Sequence, residues 1–243
     1  MRVLDLFSGI GGFSLGLERA GMKTVAFCEI EPYCQAVLLK HWPGVPIYGD
    51  VRELTADRLV ADGIGVDVIC GGFPCQDISF AGSGLGLAGA RSGLWSEFAR
   101  LIGELRPRYA ILENVSALLV RGMGRVLGDL AGIGYDAEWS IVSACSVGAP
   151  HVRRRVFIVA YPDGQHGRKG LWDSLAREGG ALQSINGEPR QRACWRSRLE
   201  NPSALYRGAN GLPNGMDRNR AVGNSITPAI PEMIGRAIMR AVA

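Results

Sequence analysis

The sequence lacks several features that would assign it to common protein classes. No apolar run reaches the roughly 18 to 20 residues that a membrane-spanning helix needs, and Asp5 interrupts the N-terminal run too early for a signal peptide. The 6 cysteines include no CxxC pair, which argues against a disulfide scaffold and a zinc site. No GxxxxGK sequence is present, which argues against a nucleoside triphosphate ligand. We therefore expect a cytoplasmic protein without a metal site.

Positive charge is concentrated in one part of the chain. The sequence holds 27 Lys and Arg against 23 Asp and Glu, a formal net charge of +4. Residues 1–150 carry a net charge of −4, whereas residues 151–220 hold 13 basic and 6 acidic residues, a net charge of +7. Such a segment suits a polyanion, because neutralising phosphates releases condensed counterions. A solvated arginine-rich surface is the alternative that charge alone leaves open.

Short apolar runs alternate with amphipathic stretches over the first 160 residues. The strands are predicted at residues 3–7, 24–28, 45–48, 66–70, 109–112, 135–142 and 156–160. Helices are predicted between them, among others at 32–41, 94–105 and 117–131. This alternation predicts an α/β fold, a doubly wound and mostly parallel sheet with helices on both faces.

Composition and hydrophobic periodicity divide the chain into three regions. Residues 1–161 form the predicted α/β domain. Residues 162–216 are rich in Gly, Arg, Ser, Asn and Pro without a lasting period, which predicts a small loop-rich subdomain. In residues 217–243, an apolar stripe predicts a helix that returns to the first domain: Ile230, Ile234, Ala237, Ile238 and Ala241.

The ends of the first three predicted strands suggest a ligand site. Gly9, Gly11 and Gly12 form a strand-to-helix turn, where the backbone can approach a ligand and the helix offers free N–H groups. Glu29 follows the second strand and can accept hydrogen bonds from ribose hydroxyls. Asp50 follows the third and could meet an adenine amino group. These residues predict an adenosine-containing cofactor, and they leave a nicotinamide dinucleotide open.

A cysteine and an acid occupy the ends of the next two strands. Cys75 comes directly after Pro74, just past the fourth strand, and a cysteine is a ready nucleophile once some thiolate character is supplied. Glu113 ends the fifth strand, which we expect beside the fourth. Each residue alone has a plain explanation, Cys75 as a small apolar filler and Glu113 as a surface acid. Together they predict a nucleophile and an acid on one rim.

Seven short motifs give the sequence a specific resemblance. In order along the chain they are Asp5–Phe13, Glu29, Gly49–Val51, Gly72–Gln76, Glu113–Val115, Arg153–Phe157 and Gly223–Ser225. In these motifs and their order, the chain resembles the cytosine-5 DNA methyltransferases, and its short middle region resembles phage- or prophage-type members. The resemblance implies a Rossmann-like domain dependent on S-adenosylmethionine, and it makes residues 162–216 a target-recognition region.

The resemblance also implies residue roles. Cys75 matches the nucleophile, Glu113 matches the acid that binds the flipped cytosine, and Arg153 and Arg155 match two arginines near the base. The residues expected at the cofactor are Phe7, Gly9, Gly11, Gly12, Glu29, Ile30, Asp50, Val51, Pro74, Leu94, Asn224 and Ser225. Those expected to contact DNA are Gln76, Ser79, His151, Arg190, Arg192, Arg196 and Arg198. His151 stands where the family usually has glutamine, and either a DNA contact or a plain loop histidine fits it.

The leading hypothesis is a monomeric enzyme that methylates carbon 5 of a flipped cytosine in double-stranded DNA through a covalent cysteine adduct. A cognate restriction endonuclease acting on the same site is an expected partner, and no membrane is. Three alternatives stay open: methylation of RNA, a DNA-binding module without turnover, and a nicotinamide-dependent oxidoreductase.

Overall fold

The computed structural model of the protein describes residues 1–74, 93–149, 151–164, 170–172, 175 and 225–242. Within these ranges the strands are β1 (Arg2–Leu6), β2 (Lys23–Cys28), β3 (Ile47–Tyr48), β4 (Val68–Gly72), β5 (Tyr109–Val115), β6 (Tyr135–Ser143) and β7 (Arg154–Pro162). They form one seven-stranded sheet in the order β3-β2-β1-β4-β5-β7-β6. The first five strands run parallel, and β7 lies antiparallel between β5 and β6.

The strand order places a crevice at the carboxyl edge of the sheet. The chain proceeds outward from β1 to β2 and β3, and then starts again on the other side of β1 with β4 and β5. In open α/β sheets, ligands bind outside the carboxyl ends of the strands at such a reversal. The ends of β1, β2, β4 and β5 therefore define the region in which a site is expected.

Helices cover both faces of the sheet, and each face has its own apolar layer. The helices are α1 (Gly12–Arg19), α2 (Pro32–His41), α3 (Ala56–Ala61), α4 (Leu94–Leu105), α5 (Leu118–Arg121), α6 (Met123–Gly132) and α7 (Ala229–Ala241), with a 3-10 helix at Ala144–Val147. One layer joins Leu4 of β1 to Phe98 and Leu130 of α4 and α6. The other joins Val3 of β1 to Leu17 and Ile234 of α1 and α7. Neighbouring residues of β1 thus enter opposite layers, as the period of a strand requires.

The α/β architecture predicted from the sequence is confirmed, with differences at the ends of elements. The helix predicted over 117–131 is divided at Gly122, whose φ of −156° is not helical. Strand β5 continues past Glu113, because Asn114 and Val115 pair with β7. Helix α7 packs against α1 and the sheet, although Ala241 at its end is exposed.

The domain boundaries at 161 and 217 stay a prediction, since most of residues 162–216 lies outside the described ranges. Leu171, Trp172 and Leu175 are described and pack on the layer that contains Val3. None of the helices in the described ranges combines the length and apolar character that a membrane crossing requires.

Candidate active site

The glycine turn after β1 forms the first wall of the crevice. Phe7 has a φ of 52°, which is uncommon for a residue with a side chain, and its ring stacks on Phe98 with centroids 6.3 Å apart. Gly9 and Gly11 also have positive φ, 54° and 84°, so this turn suits glycine. A Cβ atom built on Gly9 would meet no atom within 4 Å. The turn therefore leaves open space at Gly9, whereas Gly11 and Gly12 are buried.

Glu29 is fixed beside that turn. Its Oε2 accepts a hydrogen bond from the Gly9 N–H at 2.6 Å, and its Oε1 accepts one from the Glu31 N–H at 2.8 Å. The Gln35 side chain donates to the Glu29 carbonyl at 2.6 Å. Because each carboxylate oxygen has a second lone pair, Glu29 can still accept hydrogen bonds from a ligand. Ile30, the next residue, is 61% exposed.

The buried Asp5 orders the same turn from inside. Its Oδ2 accepts hydrogen bonds from the Ser14 hydroxyl at 2.7 Å and the Ser14 N–H at 3.2 Å, near the start of α1. The Ser8 hydroxyl donates to the Asp5 carbonyl at 2.6 Å. Desolvation raises the pKa of Asp5 to about 7, against the lowering effect of the bonds from Ser14. Sequence reasoning assigned no role to Asp5, although the residue lies within the first motif.

The C-terminal segment closes one side of the turn. A Cβ atom on Gly12 would lie 2.5 Å from Cγ2 of Ile226 and 2.8 Å from its carbonyl oxygen. The segment that begins at Ser225 is therefore in close contact with α1 at its first residue. Ser225 is half-buried, whereas Asn224 lies outside the described ranges.

Asp50 and Val51 stand at the far end of the crevice, after β3. Both oxygens of Asp50 accept hydrogen bonds from the Arg52 guanidinium, and these bonds lower the pKa of Asp50. The side chain of Val51 is buried in the layer that contains Leu4. The carbonyl of Val51 accepts a hydrogen bond from Arg100 of α4 at 3.1 Å. Sequence reasoning missed Arg100, which carried no signal beyond its place on an amphipathic helix.

Glu113 forms the charged centre of the other half of the crevice. It lies opposite Gly72, at the end of β4, and its side chain is 15% exposed. Arg155 of β7 pairs with it, with 2.9 Å between Nε and Glu113 Oε1. Burial raises the pKa of Glu113, while the charges of Arg155 and Arg153 lower it, and the net shift is upward. This net shift favours the protonated form of the Glu113 carboxyl group relative to a free glutamate.

Gly72 makes room for that carboxyl group. A Cβ atom at this position would lie 2.7 Å from Oε2 of Glu113. The chain then continues through Phe73, whose ring packs against Trp95 at 5.2 Å. The Phe73 carbonyl accepts a hydrogen bond from the buried Asn114 side chain at 3.3 Å. The segment that leads to Cys75 is thus attached to the strand that carries Glu113.

The structure brings only part of the predicted set together. Pro74 is the last described residue before the gap, and Leu94 begins α4 on the other side of it, half-buried against the core. His151 and Arg153 are half-buried in the segment before β7. The predicted residues outside the described ranges are Cys75, Gln76, Ser79, Arg190, Arg192, Arg196, Arg198 and Asn224. Within the described ranges, no three His, Cys, Asp or Glu side chains are grouped as metal ligands would be.

Comparison with known proteins identifies the family. The family model of C-5 cytosine-specific DNA methylases matches residues 1–193. The type II methyltransferase M2.BsuMI of Bacillus subtilis (strain 168) is 38% identical over 168 residues, which cover 66% of this chain and 42% of that protein. M.Eco47II of Escherichia coli is 39% identical over 166 residues, which cover 65% of this chain and 39% of that protein.

The fold extends to more distant proteins. The solved structure of the Entamoeba histolytica methyltransferase EhMeth has a TM-score of 0.69 at 12% identity and covers 100% of this chain and 99% of that one. By contrast, the chain spans less than half the length of the two bacterial relatives above. The match over residues 1–193 includes every strand of the sheet. On this match, the chain belongs to the C-5 cytosine-specific DNA methylase family.

Proposed function

We propose that the protein transfers a methyl group from S-adenosylmethionine to carbon 5 of cytosine in double-stranded DNA. The observation that carries the proposal is the position of Glu113, whose side chain is 15% exposed and pairs with Arg155 at 2.9 Å. Its pKa is shifted upward, and its strand lies next to the one that leads to Cys75. Neighbouring parallel strands lie about 4.8 Å apart. An acid and a nucleophile on these two strand ends can therefore reach opposite sides of one pyrimidine ring.

Cytosine carbon 5 is too poor a nucleophile to take a methyl group unaided. In the proposed reaction, the Cys75 thiolate forms a bond to carbon 6, and the electrons of the 5,6 double bond move toward carbon 5. Glu113 holds a proton at the ring nitrogen and so disperses the developing negative charge. After carbon 5 is methylated, its proton leaves to a base, the carbon–sulfur bond breaks and Cys75 returns as thiolate. The upward shift of the Glu113 pKa favours the protonated form that this step requires.

The first half of the crevice suits the cofactor. S-adenosylmethionine would supply the methyl group from a positively charged sulfonium. Glu29 has free lone pairs for ribose hydroxyls, and Gly9 leaves open space above the turn. Ile30 offers an exposed apolar side chain for the adenine face, and Asp50 follows the next strand. We assign Phe7, Gly11, Gly12, Val51, Pro74, Leu94, Asn224 and Ser225 to the same site.

The expected partner is duplex DNA, and the target base must leave the stack to reach a buried carboxyl group. We assign base contacts to Arg153 and Arg155, and further DNA contacts to Gln76, Ser79, His151, Arg190, Arg192, Arg196 and Arg198. The net charge of +7 over residues 151–220 supports a recognition role for residues 162–216. We further propose a monomeric, cytoplasmic enzyme that acts alongside a cognate restriction endonuclease.

The test is transfer of a labelled methyl group from S-adenosylmethionine to duplex DNA. Cys75→Ser should abolish transfer and the covalent adduct with DNA containing 5-fluorocytosine, while leaving cofactor affinity unchanged. Cys34→Ala, which changes a buried cysteine of α2, is the matched control and should keep activity. Full activity in Cys75→Ser would contradict the mechanism.

Two further measurements separate the alternatives. Transfer to RNA but not to duplex DNA would reverse the assignment of substrate, and tight DNA binding without transfer would make the protein a binding module. Bisulfite sequencing of DNA from a host that expresses the protein identifies the methylated site.

A further inference from the structure

One arginine outside the predicted site connects two elements that border it. The Arg100 guanidinium, on α4, makes four interactions: with Glu97 Oε2 at 2.8 Å, with Glu104 Oε1 at 2.8 Å, and with the carbonyls of Val51 at 3.1 Å and Leu54 at 2.8 Å. The planar guanidinium has five N–H donors in a fixed geometry, which allows one side chain to serve all four acceptors.

The two carbonyls belong to the turn that follows Asp50. Val51 and Leu54 are only 4% and 1% exposed and pack into the core beneath this turn. Glu104 adds another link, because its Oε2 accepts a hydrogen bond from the Ala56 N–H at 3.1 Å, at the start of α3. The whole stretch from residue 51 to residue 56 is thus attached to α4.

This arrangement differs from an ordinary ion pair on a helix surface. Arg236 of α7 is 57% exposed and pairs with Glu232, four residues earlier on the same helix, and such a pair stabilises a helix by about 0.3–0.5 kcal/mol. The Arg100 side chain is only 30% exposed, and its backbone partners are 46 and 49 residues away in sequence. It therefore constrains the position of one loop relative to a helix.

We propose that Arg100 is a positioning residue of the cofactor site, which holds the turn after Asp50 in the place where it meets the adenosyl group. The inference rests on the proposed function, because it takes Asp50 and Val51 to bind that group. Arg100 itself contacts no reacting atom. Its loss allows the turn to move and so weakens cofactor binding, without disturbing Glu113 or Cys75 on the other half of the crevice.

The test is cofactor affinity in the full chain. In Arg100→Met, which keeps the apolar stem and removes the donors, we expect the Kd for S-adenosylmethionine by calorimetry without DNA to rise about tenfold, because the released turn must then be ordered each time the cofactor binds. The KM for S-adenosylmethionine should rise in parallel, while kcat at saturation and the KM for DNA stay within about twofold. Arg100→Lys restores donors and should recover part of the affinity. Arg236→Ala is the matched control and should leave the Kd unchanged.

Three results would overturn the proposal: an unchanged Kd in folded Arg100→Met, a fall in kcat at constant KM for the cofactor, or an equal loss of affinity in Arg236→Ala. If Arg100→Met does not fold, Arg100→Lys serves as the test. The positioning role of Arg100 would be refuted if that variant had the Kd, the KM and the dissociation rate of the wild-type protein for S-adenosylmethionine. Failure of the proposed function has a different signature, because it appears in the unmodified protein as an absence of methyl transfer to duplex DNA, independently of the effect of Arg100→Met on the Kd.

Discussion

Replacing the buried Asp5 with asparagine should stabilise the protein at alkaline pH. Asp5 lies on β1 with no exposed surface, and its Oδ2 accepts two hydrogen bonds from Ser14. Its Oδ1 has no conventional hydrogen-bond partner, although the Cys70 thiol lies close enough to influence the pKa of both groups. An asparagine keeps the acceptor toward Ser14, carries no charge, and places an amide N–H toward Cys70.

The magnitude follows from the shift in pKa. Burial raises the pKa of Asp5 from 3.8 to about 7, so the folded state binds a proton that the unfolded state has already released over this interval. Stability therefore falls as pH rises from about 4 to about 7, and the loss is complete above the folded pKa. At 1.36 kcal/mol per pKa unit, the shift corresponds to about 4 kcal/mol as an upper bound. The comparison is the free energy of unfolding of Asp5→Asn minus that of wild type. After relaxation of the site, we expect this difference to be about 2 kcal/mol more favourable to the variant at pH 8 than at pH 5.

The assay is urea unfolding of both proteins at pH 5 and pH 8, without ligand. Asp67→Asn is a control of opposite sign, because the hydrogen bond from Arg2 lowers the pKa of Asp67. The contribution of Asp67 is fully present above its unfolded pKa of 3.8 and is lost only as pH falls further, through the lower folded pKa. Its replacement should therefore destabilise the protein by the same amount at pH 5 and at pH 8. If the difference between Asp5→Asn and wild type is the same at pH 5 and pH 8, the reasoning about Asp5 is refuted.

Three further predictions concern the crevice. Gly72→Ala should reduce methyl transfer at least tenfold with little change in cofactor affinity, because its Cβ would lie 2.7 Å from Oε2 of Glu113. Kinetics at saturating cofactor measures this effect, and an unchanged kcat would contradict the prediction. Gly11→Ala should cost about 1–3 kcal/mol in urea unfolding, because its φ is 84° and its Cβ would lie 2.6 Å from the Trp42 ring. Gly124→Ala is the control, since Gly124 is exposed on helix α6, where alanine is favoured and no loss is expected. A Gly11→Ala variant as stable as wild type would argue against strain. Arg155→Ala removes a positive charge from Glu113, so the pKa of Glu113 should rise further in carbon-13 NMR titration, and a fall in that pKa would contradict the assignment.

The sequence predicted the residues at the strand ends better than it predicted the side chains that contact and position them. Glu29 and Glu113 could be placed at one edge because apolar runs stop there, and parallel strands bring their ends together. The partner of Glu113 was suggested only by resemblance, since Arg155 belongs to a strand 42 residues later that pairs antiparallel with β5. Arg100 could not be found at all, because an arginine on the polar side of a helix gives no sign of which distant carbonyls it will meet.

The sequence by itself determined the alternation of strands and helices, the glycine turn, the positions of the motifs and the family to which they belong. These are properties of neighbouring residues and of short spacings, which the chain carries in any conformation. Only the tertiary structure decided that Gly72 makes room for Glu113, that Ile226 closes on Gly12, and that Asp5 is buried deeply enough to have a pKa of about 7. Such features depend on close packing and desolvation between segments far apart in sequence, and both exist only once the sheet and its helices have assembled.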